Sequence, residues 1–301
     1  MAAIDCGTNS VRLLVADLDA GRLTDVVRRM EIVRLGQGVD RTGRLAADAL
    51  ARTGKALADY AAQIRELDAE RVRTVATSAT RDASNAAEFR EMVTGTLGVE
   101  PEVITGAQEA HLSFTGAVRG LPDRAEPPYL VVDIGGGSTE FVLGATDAEA
   151  AVSVDIGCVR MTERHLRHDP PTPDQVVAAE VDITAGVDRA LETVPGRRAR
   201  TLVGLAGSVT TVAGIALNLP RYDPQAIHHA RVGYQAVARV TADLLASTRE
   251  QRLAIPVMHP GRADVIGAGA LVLRIVMERV GADSVIASEH DILDGIALSL
   301  A

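Results

Sequence analysis

The hydrophobic period of the chain switches repeatedly between two and about three and a half. Residues 2–18, AAIDCGTNSVRLLVADL, read as an apolar run, a Gly/Asn/Ser turn and a second apolar run. Ala20-Gly21 then turns the chain into a third, strand-like run, LTDVVRRMEIVRL, so the protein opens with a β-meander. The spacing of apolar residues from Leu45 to Leu67 follows the helical period, and VRTVA at 72–76 reads as a buried strand. Asn85-Ala-Ala-Glu88 has the form of a capping box, opening a helix that stops at Gly98. A short strand at 102–104 leads into a helix from about 107. The second half restarts the pattern, with strands at 129–133, 140–144 and 151–156. It continues with helices near 174–194, 208–218, 234–247, 262–280 and 289–300 and strands near 201–205 and 284–287. Alternating strands and helices predict an α/β fold.

The proline-rich, charged stretch PDRAEPP at 122–128 precedes the restart, which places a domain boundary there: 1–126 and 127–301. Asp5-x-Gly7-x-x-Ser10 recurs as Asp133-x-Gly135-x-x-Ser138, each copy following one apolar strand and preceding another. A single copy is an ordinary hairpin turn. Two copies, each opening one half, predict a duplicated fold with a cleft between its halves.

Composition narrows the chemistry. The chain has 301 residues, 31 basic against 40 acidic, for a net charge of −9, which argues against binding nucleic acid through counterion release. Three Phe, four Tyr and no Trp are too few for base-stacking platforms. Cys6 and Cys158 have no metal-ligand or disulfide spacing and are expected to be small buried residues in a reducing cytoplasm. No apolar stretch has the length of a membrane span, so a soluble cytoplasmic protein is expected. The one lysine, Lys55, lacks the upstream glycines of a Walker loop.

Turns of Gly, Ser and Thr can aim several backbone N–H groups at one anion. Gly7, Thr8, Asn9 and Ser10, and Gly135, Gly136, Gly137 and Ser138, are therefore candidate phosphate loops. Asp5 and Asp133 head them, and a hard divalent cation is one reason for a carboxylate beside phosphate; the other reading is that each simply satisfies turn amides. A third Gly-rich turn, VGLAGSVTT at 203–211, either offers an anion site at a helix N-terminus around Gly207 and Ser208 or uses Gly207 only for a tight turn.

Seven segments carry a resemblance that extends over most of the chain: DCGTNS at 5–10, ATSATRDA at 76–83, GAQEAHL at 106–112, DIGGGSTE at 133–140, IGCVRMTE at 156–163, GLAGSVTT at 204–211 and RADVIGAGA at 262–270. In these motifs, and in their order, the chain resembles the exopolyphosphatase/guanosine pentaphosphate phosphohydrolase family, within the actin-like ATPase superfamily. The resemblance implies two duplicated ribonuclease-H-like domains and Mg²⁺- or Mn²⁺-dependent removal of a terminal phosphate. Inorganic polyphosphate is the expected substrate, with guanosine pentaphosphate as the alternative and a non-hydrolytic sensor of such ligands as the reading of another class. It implies that Glu109 activates water, that Glu140 helps hold the water or metal, and that Arg81 faces phosphate. Arg160 and Arg262 are weaker candidates for phosphate contact. Two positions depart from the family pattern, Gln108 where glutamate is common and His111 where arginine is common. Many relatives carry further helical domains, so the two-domain core is expected to work without them, alone or as a homodimer.

Overall fold

The computed structural model describes residues 1–19 and 22–301; the expected Ala20-Gly21 turn lies outside the described residues. Two compact units emerge, Met1–Gly116 together with Ile292–Ala301, and Ala117–Asp291.

In the first unit, β1 (Ala2–Cys6), β2 (Ser10–Asp19) and β3 (Arg22–Ile32) form the expected meander. There follow α1 (Val39–Thr42), α2 (Ala47–Glu66), β4 (Val72–Ala76), α3 (Ser78–Arg81), α4 (Ala86–Leu97), β5 (Glu102–Val103) and α5 (Gly106–Val118). The sheet order is β3-β2-β1-β4-β5, antiparallel through the meander, with β4 parallel to β1 and β5 parallel to β4. β1 is buried along its whole length, and the period of two divides its side chains between two cores. Ile4 joins Leu57, Tyr60 and Phe89 on one face, while Ala3 joins Leu112, Leu293 and Ile296 on the other.

In the second unit, β6 (Tyr129–Ile134), β7 (Thr139–Gly144) and β8 (Ala148–Val154) repeat the meander. They are followed by α6 (Cys158–His165), α7 (Pro173–Thr193), β9 (Thr201–Leu205), α8 (Ala206–Ala216), α9 (Pro224–Ile227), β10 (Arg231–Gly233), α10 (Tyr234–Ala246), α11 (Arg249–Leu253), α12 (Ile266–Val280) and β11 (Ser284–Ala287). The sheet runs β10-β11-β9-β6-β7-β8, with β9 parallel to β6 and β11 parallel to β9. Apart from the added edge strand β10, this is the order of the first unit. The duplication inferred from two short turns is thus a duplication of topology, the ribonuclease-H-like order in both halves.

The helix α13 (Ile292–Leu298) belongs to the first unit, whereas the boundary expected from sequence places it in the second half. Its residues Ile292, Leu293, Ile296 and Ala297 cover the face of β1 and β2 formed by Ala3, Leu14 and Ala16. Arg28 of β3 pairs with the buried Asp294 carboxylate through both terminal nitrogens, a contact that raises the Arg28 pKa despite the opposing cost of burial. An apolar face on β1 and β2 needs a cover, and local sequence cannot say which helix supplies it. Gly295 allows the close approach: a Cβ there would overlap the Leu112 carbonyl of α5. Gly295→Ala is therefore expected to destabilise the first unit by about 1–3 kcal/mol, measured as a lowered urea midpoint with an unchanged slope.

The Asn85 capping box does not form. Asn85 makes no side-chain cap; its Oδ1 accepts from Leu45 N at 2.8 Å and its Nδ2 donates to Leu45 O at 3.1 Å, tying α4 to the segment before α2. Gly98 does terminate α4, in the left-handed conformation. Cys6 and Cys158 are buried and unbridged, and burial raises both thiol pKa values. Among the described residues no helix is long and apolar enough to cross a membrane.

Candidate active site

The two repeat turns have one geometry. In the first unit the Cys6↔Val11 pair closes a four-residue turn, Gly7–Ser10, and in the second Ile134↔Thr139 closes Gly135–Ser138. Gly7 N donates to Ser10 O at 2.9 Å. In the first unit the turn is held by the segment after β3: Val33 N and Arg34 N both donate to Asn9 O, and Gly36 N donates to Thr8 O at 2.8 Å. Gly36 has no room for a side chain, because a Cβ would overlap the Thr8 methyl group.

In the second unit the turn is held by the start of α6. Cys158 N donates to Gly135 O (2.9 Å), Val159 N and Arg160 N to Gly136 O (2.8 and 3.1 Å), and Gly157 N to Gly137 O (3.2 Å). Arg160 Nε adds a bond to Gly137 O at 2.8 Å, so this guanidinium braces the turn. A Cβ at Gly157 would overlap the Gly136 carbonyl. In the sequence, IGCVRMTE stands out only as a motif, and no helix is expected there. α6 has just eight residues, and its N-cap is a glycine, which offers no capping side chain.

The residue opposite each leading aspartate separates the two halves. Asp5 faces Arg12 across β1 and β2, and Asp5 Oδ2 accepts from Arg12 Nε (2.9 Å) and Nη2 (2.7 Å). Asp133 faces Glu140 across β6 and β7, two buried carboxylates directly opposite one another. Like charges in that register destabilise a sheet unless a cation or proton lies near them. Ser153 continues the row on β8, and its hydroxyl donates to Glu140 Oε1 at 2.7 Å. Ser153 carries no signal in the sequence beyond its place in a strand.

Glu109 lies in the first turn of α5 and is buried. Its Oε2 accepts from Arg81 Nη1 at 3.1 Å, and the same nitrogen donates to Ile104 O at 3.0 Å. Arg81, ending α3, thus ties the end of β5 to the helix bearing Glu109. No group among the described residues takes its Nε or Nη2, so these donors remain for another partner. Gln108 has a structural task of its own: its side chain accepts from Thr105 N (2.9 Å), while Thr105 Oγ1 accepts from Gln108 N (3.2 Å). This is a capping box, one residue before Glu109, and glutamine serves it as well as glutamate. His111 is exposed on the same helix.

At the third turn the residue in the left-handed region is Ala206 (φ 67°), not Gly207. Gly207 leaves room for the Arg262 guanidinium, which lies against the start of α8 and which a Cβ at this position would push aside. Ser208 is buried; its side chain packs on Gly269 of α12, and the nearby Ser208 hydroxyl opposes the rise that burial gives the Cys158 pKa.

The model of the Ppx/GppA phosphatase family matches residues 14–301. The chain belongs to this family. Exopolyphosphatase 2 of Mycobacterium tuberculosis is 54% identical over 314 residues, covering 100% of this chain and 98% of that protein. A crystal structure of an exopolyphosphatase-like protein superposes with a TM-score of 0.96 at 44% identity, covering 99% of this chain and 98% of the other. The Aquifex aeolicus PPX-GPPA enzyme superposes at 0.82 with 34% identity, covering 99% and 98%. As a Ppx/GppA phosphatase the chain is a hydrolase of phosphoryl groups.

The donor set bears on a metal. Among the described residues no three His, Cys, Asp or Glu side chains gather into a cage. Asp133 and Glu140 form a two-carboxylate pair, and Asp5 is already engaged by Arg12. Such a set suits Mg²⁺, which takes one or two carboxylates and draws its remaining ligands from water and phosphate.

Proposed function

We propose that this Ppx/GppA phosphatase is an exopolyphosphatase, releasing the terminal phosphate of inorganic polyphosphate by attack of water. Identity of 54% to exopolyphosphatase 2 along essentially both whole chains carries the choice of substrate.

Phosphoryl transfer asks for an oriented nucleophile and for stabilisation of charge on the equatorial oxygens, with little covalent work by the protein. Glu109 takes the proton of the attacking water. Arg81 fixes the Glu109 carboxylate through Nη1 and offers its remaining donors to a phosphate oxygen. The amides of Gly135–Ser138 hold phosphate, since the carbonyls of Gly135, Gly136 and Gly137 are already turned to α6 and Arg160. Gly7–Ser10 plays the corresponding part in the first unit. Asp133 and Glu140 would hold Mg²⁺ or Mn²⁺, which would supply charge neutralisation on the phosphate chain. Ser153 orients Glu140. Gly207 and the α8 N-terminus contribute through backbone, because the Ser208 side chain is buried against Gly269.

The test is a phosphate-release panel with short polyphosphate, long polyphosphate and guanosine pentaphosphate. Polyphosphate is expected to be the preferred substrate by kcat/KM. Preference for guanosine pentaphosphate would reassign the substrate, and binding of both without turnover would make the protein a sensor. Chelation with EDTA is expected to lower the rate at least ~10²-fold, with recovery on adding Mg²⁺, because the Asp133–Glu140 pair otherwise repels phosphate. Unchanged turnover in metal-free protein would remove the cation from the mechanism.

A further inference from the structure

A cavity of about 280 Å³ lies in the Ala117–Asp291 unit at the opposite end of its sheet from the Gly135–Ser138 turn. Its wall includes Thr201 and Ser284, which begin β9 and β11, whereas the turn follows the end of β6. β6 has six residues, so the two places are separated by roughly 16 Å of strand. Arg197, Arg200 and Arg231 line the cavity, together with Leu130, Leu202 and Val280.

The charge at this place is unusual for the molecule. Acidic residues outnumber basic ones by 40 to 31, and many of the arginines pair with a carboxylate. Arg197 and Arg231 do not. Arg197 Nε donates to the Arg279 carbonyl at 3.2 Å, and Arg231 Nη1 donates to the Ser284 hydroxyl at 3.0 Å, both neutral partners. Arg200 reaches Glu126 at 3.3 Å, but both side chains are about two-thirds exposed, and such a pair contributes little. With Arg200 offset by Glu126, one lining carboxylate, Asp283, stands against Arg197 and Arg231, leaving the cavity net positive on a net-negative protein.

We propose that this cavity is a second anion site, distinct from the phosphate turns, that takes a ligand bearing phosphoryl groups. Guanidinium groups present paired N–H donors matched to phosphate oxygens, and those of Arg197 and Arg231 are bound only by neutral groups through a single nitrogen each. The hydroxyls of Thr201 and Ser284 extend the polar wall. The phosphoryl group could come from an inorganic chain or from a nucleotide, and both present the same diphosphate chemistry to the arginines.

Hydrogen–deuterium exchange of the intact protein tests this with pyrophosphate and with GDP as probes. At a probe concentration tenfold above its Kd, exchange in segments 196–202 and 280–286 is expected to slow about tenfold, in addition to any protection of 133–139. The exposed double substitution Arg197→Ser/Arg231→Ser is expected to abolish protection of 196–202 and 280–286 while leaving that of 133–139 unchanged. Equal protection by both probes, or stronger protection by pyrophosphate, supports phosphoryl recognition. Protection by GDP alone would overturn it, as would protection that survives the double substitution. Unchanged exchange in 196–202 and 280–286 of the parent protein at ~10 mM probe, far above the micromolar-to-millimolar range of specific sites, would overturn it too.

Discussion

Glu109→Gln is expected to lower the rate of phosphate release by roughly 10²–10⁴ while leaving substrate binding equal or tighter. The change keeps the size of the side chain and removes both the proton acceptor and one negative charge. The amide oxygen of the substituted side chain can still accept from Arg81 Nη1, so the link joining α3, Ile104 and α5 is retained. Loss of structure is therefore not the expected cause of a lost rate. A purified Glu109→Gln protein with a parental thermal midpoint that keeps more than about a third of the rate would defeat the assignment, since general-base catalysis contributes far more than that. Arg81→Lys is informative beside it. A lysine carries the charge, but a single ammonium cannot keep the Ile104 and Glu109 bonds and also present a planar pair of donors. If Arg81 both positions Glu109 and meets phosphate, kcat and KM should worsen together.

Gly157→Ala is expected to cost the enzyme most of its activity through the Gly135–Ser138 turn, proposed to hold phosphate, that it never touches with a side chain. Gly157 has φ −74° and ψ 158°, a conformation alanine adopts without strain. The obstacle is space, because the added methyl group would overlap the Gly136 carbonyl and the backbone of Gly137. Relief requires the turn and α6 to separate, which loosens the bonds from Cys158, Val159 and Arg160 to the turn carbonyls. Overpacking of this kind costs about 1–3 kcal/mol of stability, and a displacement near 1 Å at a positioning element can cost about 10² in rate. Differential scanning calorimetry and initial rates on one preparation separate the two effects. A Gly157→Ala enzyme with parental kcat/KM would mean that the turn amides do not hold phosphate.

The sequence alone was sufficient for what depends on neighbours along the chain. Periods of two and 3.6 located the strands of both meanders and the long helices within a few residues, because each such element must turn an apolar side to the core. The repeated DxGxxS turns revealed the duplication, since a hairpin turn is local chemistry that survives in two copies. The candidates Glu109, Glu140 and the turn residues were singled out through the family motifs that contain them.

Tertiary structure decided what depends on contacts between distant segments. Asn85 looks like a helix cap but serves Leu45, because a neighbouring backbone offers its amide better-matched partners. α13 closes the first unit because Ala3, Leu14 and Ala16 of β1 and β2 leave an apolar face that an apolar helix can cover. The Arg12 and Glu140 partners of the two leading aspartates follow from strand register. The same turn motif thus heads an ion pair in one half and two facing carboxylates in the other. Gly157 reads as a loop glycine, yet its backbone angles are accessible to any residue, and it is the approach of the Gly136 and Gly137 backbone that excludes a side chain. Hydrophobic periodicity carries no record of such approaches, because it reports which side of an element is buried and not what lies against it.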